Sequence, residues 1–288
     1  MKILTLNTHS LVEENSDKKL HWFVEGILRE KPDIIALQEV NQTADEGWID
    51  PEMLAGQYPV PGCVKIRRDN FAARCAHLLR EAGLECFWAW VPVKLGYGKY
   101  DEGVAVLSIG RKIRCVDQFP VSRTNDYQNW RTRAVLGVQV EGLEDWFYTV
   151  HMGWWNDEAE RFLDQWKKLN TCVTSKRMCA PVWLLGDFNG CDRVRDESYD
   201  LVSGSGWLDT YFLAKTKDSG ITVPEAIDSV NRETAQSLRG SRLDYIWCSK
   251  PVKIRSSRTM FTGTLEPVVS DHFGVLIETE DCAGESNP

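Results

Sequence analysis

The chain has 288 residues, 43% of them apolar and 26% charged, with a formal net charge of −8. That length allows one large domain or two small ones, and the composition is that of an ordinary soluble globular protein. The acidic surplus disfavours a counterion-displacing grip on extended duplex nucleic acid, although acids gathered around metal ions would also inflate the count.

The basic clusters are small: Lys65 with Arg67 and Arg68, Arg131 with Arg133, and Lys167 with Lys168. No apolar run is long enough to span a bilayer. The start, "MKILTLNTHSLVEEN", has too short and polar-broken an apolar stretch for a signal peptide, so a cytoplasmic chain without a membrane segment is expected. Nine cysteines without a C-x-x-C pair point away from a disulfide framework or a zinc cage and towards reduced, mostly buried thiols. Twelve tryptophans, several grouped as "FWAW" and "GWW", supply aromatic walls as well as core.

In chain order, "KILTLN" reads as a strand that delivers Asn7 at its end. Residues 17–30 form a helical pattern with Leu20, Phe23, Val24, Ile27 and Leu28 on one face and Asp17 as candidate N-cap. "DIIALQEV" is a strand carrying Glu39. A second helix over 69–83 turns Phe71, Cys75, Leu78 and Leu79 inward and stops at Gly83. The strand "FWAWVPV" follows, then "GVAVLS", preceded by Glu102. "RAVLGVQV" has Arg131 and Arg133 at its start, and "WFYTVHM" delivers His151, with Trp154 and Trp155 on a loop just beyond. A third helix starts at Asn156 and carries Phe162, Trp166 and Leu169 inward. "VWLLGDFN" delivers Asp187 and Asn189, "LDYIWC" carries Asp244, and "HFGVLIET" brings His272 just after Asp271. No linker, repeat or low-complexity tract interrupts the pattern, so one domain over 1–280 is expected, with 281–288 as a tail. Many strands with a few separated helices fit two packed sheets with helices outside.

Each polar strand end has an ordinary reading. Asn7, or Asp187 with Asn189, caps a turn as readily as it builds a site. His151 alone reads as a satisfied core histidine, and Asp271-His272 as a turn before the last strand. Arg131 and Arg133, two apart, face one way, towards solvent or towards a phosphate. Trp154 and Trp155 either stack on a flat group or clamp their loop. Glu39 is harder to dismiss, because a carboxylate inside an apolar strand is costly unless paired or bound to a cation. Rigid strand ends can converge on one sheet edge, and these groups together suit phosphate-ester hydrolysis. Oxygen and amide ligands without thiolates favour Mg²⁺ or Mn²⁺. Two histidines offer donors to phosphate oxygens, with carboxylates to orient them.

The ordered set "LTLNTHS", "IIALQEV", "DEGVAVLS", "TVHMGWW", "LLGDFNG", "LDYIWCSK" and "SDHFGV" resembles the endonuclease/exonuclease/phosphatase superfamily, from Lys2 to about Glu278. The likeness leans to its deoxyribonuclease I and sphingomyelinase side and to an uncharacterised bacterial branch. It implies a four-layer α/β sandwich, two mixed β-sheets face to face with helices outside. It also implies that Glu39 is the principal metal ligand, with Asn7 and Asp271 nearby, and that Asp187 and Asn189 lie at the scissile phosphate. His272 would be oriented by Asp244 and His151 by Glu102. The expectation is a metal-dependent phosphoesterase acting on a small or single-stranded substrate. The alternatives are a DNA endo- or exonuclease and a non-catalytic binding module on the same fold.

Overall fold

A computed structural model of the chain describes residues 1–225 and 239–280. Its strands are β1 (Lys2–Asn7), β2 (Ile34–Thr43), β3 (Cys86–Gly96), β4 (Tyr100–Ile109), β5 (Ile113–Pro120), β6 (Ala134–Val140), β7 (Trp146–His151) and β8 (Val182–Asp187). They continue with β9 (Leu208–Asp209), β10 (Ala214–Lys217), β11 (Asp244–Cys248), β12 (Ile254–Met260) and β13 (Gly274–Thr279). The helices are α1 (Ser16–Glu30), α2 (Phe71–Glu81), α3 (Phe162–Cys179) and the short α4 (Ser198–Gly204) and α5 (Thr210–Leu213). Seven strands form one sheet in the order β10-β12-β13-β1-β2-β4-β3, and six form the other in the order β5-β6-β7-β8-β11-β9.

Side-chain alternation along the central strands divides the core into layers. Ile3, Ile34 and Ala36 of the first sheet meet Phe147, Trp183 and Leu185 of the second between the sheets. The alternate positions Leu4, Leu6, Ile35 and Leu37 face outward under Leu20, Phe23 and Ile27 of α1 and Phe71 and Leu79 of α2. On the far side Tyr148, Val150, Val182 and Leu184 face Phe162, Trp166 and Leu169 of α3. The result is the expected four-layer α/β sandwich of two mixed sheets. Both sheets contain a parallel pair joined through a helix, β1 to β2 through α1 and β7 to β8 through α3. Parallel pairing sends the carboxyl ends of the two strands in each pair to the same edge.

Several local expectations are corrected. Asn15, in the left-handed region, is the N-cap of α1, whereas Asp17 lies in the first turn and pairs with Arg74 of α2 at 2.8 Å. The second helix is shorter than 69–83, because the Asn70 side chain caps it by accepting from the Ala73 N–H. The third helix starts at Phe162 rather than Asn156. Asp157 holds the preceding segment in a turn, its Oδ1 accepting from the N–H groups of Ala159 and Glu160. The eight described cysteines are all free, but only Cys75, Cys86, Cys191 and Cys248 are buried. The expected tail, 281–288, and Cys282 lie outside the described residues. No helix among the described residues is long and apolar enough to cross a membrane.

Candidate active site

The common edge of β1, β2, β7 and β8 gathers the polar strand ends, and the two sheets touch there directly. Asn7 Nδ2, at the end of β1, donates to Asp187 Oδ2 at the end of β8 at 3.1 Å and to Glu39 Oε1 of β2 at 2.9 Å. Behind them Gln38 Nε2 crosses the interface to Thr149 Oγ1 at 2.9 Å.

Glu39 reaches this edge through a β-bulge. Leu37 pairs with Ala105 and Val40 with Gly103, so Gln38 and Glu39 together oppose one residue of β4, Val104. Glu39 has a φ of +51°, rare for a residue with a Cβ. Strict alternation would send Glu39 to the helix side with Ile35 and Leu37. The bulge turns it to the strand end instead. Asn189 has a φ of +46°, a conformation that Asn tolerates, and its N–H donates to Asp187 Oδ1 at 2.8 Å in an Asx turn.

A cleft of about 300 Å³ opens over these groups. Its floor is Glu39, His151, Asp187, Asn189 and His272, and one wall is Lys94, Glu102 and Arg133. Tyr97, Trp130 and Trp154 form an aromatic rim. Asp244 is buried below, its Oδ2 2.8 Å from His272 Nδ1, while Asp187 Oδ2 lies 4.0 Å from His272 Nε2 and 3.7 Å from His151 Nε2.

These contacts shape the charge states. Burial and the neighbouring Asp244 push the Asp187 carboxyl up to about 7, against the pull of His272. Burial opposes protonation of His272, but Asp244, Asp187 and Asp271 overcome it and hold the ring well above the ordinary imidazole value. His151 goes the other way. Burial, together with Arg133 and Lys94, holds it well below that value, so it is neutral near pH 7. One edge thus carries a cationic and a neutral imidazole.

The donor set fits a hard divalent cation. Burial and the charges of Glu102 and Asp271 raise the Glu39 carboxyl, opposed by His9, and the side chain's hydrogen-bond donor is the neutral amide of Asn7. A carboxylate so surrounded by like charge is relieved by a cation. The groups around it are oxygens, amides and imidazoles, with no thiol in the cleft lining. Among the described residues two trios bring ligand-type atoms within 4.8 Å of one another: His9 with Glu13 and Asp271, and Asp187 with Asp244 and His272. Lys19 already pairs with Glu13, and His272 with Asp244.

Some expected residues sit elsewhere. Glu102 takes Lys94 as its partner at 3.0 Å, whereas the carboxylates within 4.0 Å of His151 are Asp187 and Glu39. Arg131 and Arg133 do not face one way, because residues 129–132 form turns and β6 starts only at Ala134. Arg133 is buried in the cleft wall, and Arg131 pairs outside it with Asp157 at 2.7 Å. Trp154 lines the cleft, while Trp155 packs on Phe162 at 6.0 Å. Asp271 lies beside His9 at 3.9 Å. The pattern reading missed Lys94, Tyr97, Trp130 and His9. Lys94 continues an apolar strand as a buried cation with an acid opposite it in the next strand, the one available signal.

The profile of the Endonuclease/Exonuclease/phosphatase family matches residues 4–272. No curated protein matches the chain in a sequence comparison. Among solved structures, an endonuclease/exonuclease/phosphatase family protein from Leptotrichia buccalis is 30% identical with a TM-score of 0.82, over 97% of this chain and 99% of that one. The mannosyl-6-phosphatase Bt3783 of Bacteroides thetaiotaomicron shares the fold at 17% identity and a TM-score of 0.60, over 97% and 99% of the two chains. TDP2 from Caenorhabditis elegans does so at 17% identity and 0.56, over 97% of this chain and 74% of that one.

Proposed function

The chain belongs to the endonuclease/exonuclease/phosphatase family, and from that premise we propose that it is a divalent-metal-dependent phosphoesterase. It hydrolyses a small or single-stranded phosphoester by in-line attack of water, using one catalytic domain over residues 1–280. The observation that carries this reading is the convergence of Asn7, Glu39, His151, Asp187, Asp244 and His272 at one cleft, through contacts of 2.8 to 4.0 Å.

Asp187 orients the attacking water and takes its proton, a task suited to a carboxyl pushed up to about 7. His272, held cationic by Asp244, donates Nε2–H to a phosphoryl oxygen as charge grows there. Neutral His151 donates from the opposite side. Asn189 gives one amide N–H to the Met152 carbonyl at 2.8 Å and has a second for the phosphate. Glu39, Asn7 and Asp271 hold Mg²⁺ or Mn²⁺, which when bound neutralises phosphoryl charge. Lys94 and Arg133 add fixed positive charge to the wall, with Glu102 holding Lys94 in place. Trp154, with Tyr97 and Trp130, stacks on a flat or sugar-like part of the substrate. Arg131, engaged with Asp157, is left to order the rim. The small cleft and the net charge of −8 favour a small or single-stranded substrate over long duplex.

Asp187→Asn and His272→Gln test the assignment. Each is expected to lower turnover by roughly 10³-fold or more while the protein melts cooperatively. Near-normal turnover in either variant would contradict it.

A further inference from the structure

The bulge that aims Glu39 needs an external support, because its φ of +51° is unfavourable and one residue of β4 cannot satisfy two of β2. The support comes from the loop after β1. Ser10 Oγ donates to the Glu39 carbonyl at 2.7 Å and accepts from the Asn41 N–H at 3.0 Å, so one hydroxyl spans the bulge. Thr8 Oγ1 donates to the same carbonyl at 3.2 Å.

The same loop reaches the other two groups read as cation ligands. The His9 N–H donates to Asn7 Oδ1 at 3.2 Å, and Glu13 Oε1 accepts from the Asp271 N–H at 3.1 Å. His9 Nδ1 lies 2.9 Å from that same Glu13 oxygen. The loop is itself bent into the left-handed region at two consecutive residues, His9 at +48° and Ser10 at +29°. Consecutive strained residues persist where surrounding contacts over-determine them. Here those contacts run to Asn7, Glu39 and Asp271.

We infer that Thr8, His9, Ser10 and Glu13 form a positioning clamp that sets the spacing of Asn7, Glu39 and Asp271 for a divalent cation, with Ser10 as its central residue. The inference rests on the reading of those three as the cation ligands. None of the four clamp residues is itself required to touch the cation. Outer partners of this kind tune metal affinity by orienting the ligands.

The test is calorimetric titration of the full chain with Mn²⁺, comparing the wild type with Ser10→Ala and Ser10→Gly. Glycine accepts the backbone at position 10 without strain and removes only the hydroxyl, so it decides the matter if the alanine variant does not fold. Ser205→Ala is the structural control, since Ser205 Oγ accepts from Trp166 Nε1 in the α3 layer. The expected result is Mn²⁺ affinity about tenfold or more weaker in the Ser10 variants and unchanged in the control. Affinity within about twofold of wild type in the Ser10 variants would overturn the clamp, because outer partners of metal ligands ordinarily cost more. A wild type that binds no Mn²⁺ would overturn the cation reading and the clamp with it.

Discussion

The Nδ1 of His272 lies 2.8 Å from Oδ2 of Asp244, and neither side chain reaches solvent. Burial alone would keep this imidazole neutral, so its positive charge depends on Asp244. Asp244→Asn removes that charge and leaves the burial. His272 is then expected to be neutral at pH 7, as a ¹⁵N or ¹H titration of its ring would read, and kcat to fall by roughly 10²- to 10⁴-fold. A His272 that stays charged in the variant would contradict the pairing.

Glu39 gives a prediction of opposite sign with and without metal. Its carboxyl is raised in the folded state, so as pH rises the unfolded chain loses that proton first. Folding is therefore penalised above the unfolded carboxyl value, and fully once pH passes the folded value. In chelator at pH 8, Glu39→Gln should melt higher than the wild type. In excess Mg²⁺ the order should reverse, because only the wild type gains binding free energy. Parallel melting curves in both buffers would remove Glu39 from the metal site.

His9 controls a separate pH window. Burial disfavours its charge, but the hydrogen bond to Glu13 and the charges of Asp271 and Glu39 raise it to about 9. A raised imidazole contributes stability that is full below its unfolded value near 6.5 and is lost as pH rises through about 9. The size is about 3 kcal/mol. His9→Asn, tolerant of the left-handed backbone, should flatten chelated stability across that window in urea titrations. An unchanged slope would contradict the charge assigned to His9.

The adjacent tryptophans should separate cleanly. Trp154→Ala is expected to raise KM for aromatic phosphoesters by roughly 5- to 100-fold, the loss of one stacking contact, with little change in melting. Trp155→Ala should leave KM alone and cost about 1–3 kcal/mol of stability through its packing on Phe162. The reverse pattern would reassign the rim.

Much of the site was legible because polar residues ending apolar strands stand out. Asn7, His151 and Asp187 were found that way, and parallel pairing then brings their strands to one edge. Glu39 was legible as a costly buried carboxylate. Its direction was not, since the bulge arises from a register shift against β4 held by Ser10, both products of the tertiary fold. Arg131 and Arg133 were misread because alternation was applied to residues that form turns. The strands β5, β10 and β12 escaped notice because "IRCVDQFP", "AKTK" and "IRSSRTM" lack clean apolar alternation, and each is partly exposed. Lys94 and Tyr97 carried no pattern at all; their roles come from the cleft they line.

The central claim, metal-dependent phosphoester hydrolysis, is tested most directly by one panel. Phosphomonoesters, phosphodiesters, single-stranded DNA and plasmid would be incubated with purified protein in Mg²⁺ or Mn²⁺, in EDTA, and after metal is restored. The account predicts turnover of at least one small or single-stranded phosphoester with metal, abolished by EDTA and recovered on re-addition, with plasmid a poor substrate. Hydrolysis that EDTA leaves unchanged, or Mn²⁺ binding without turnover of any substrate, would contradict it.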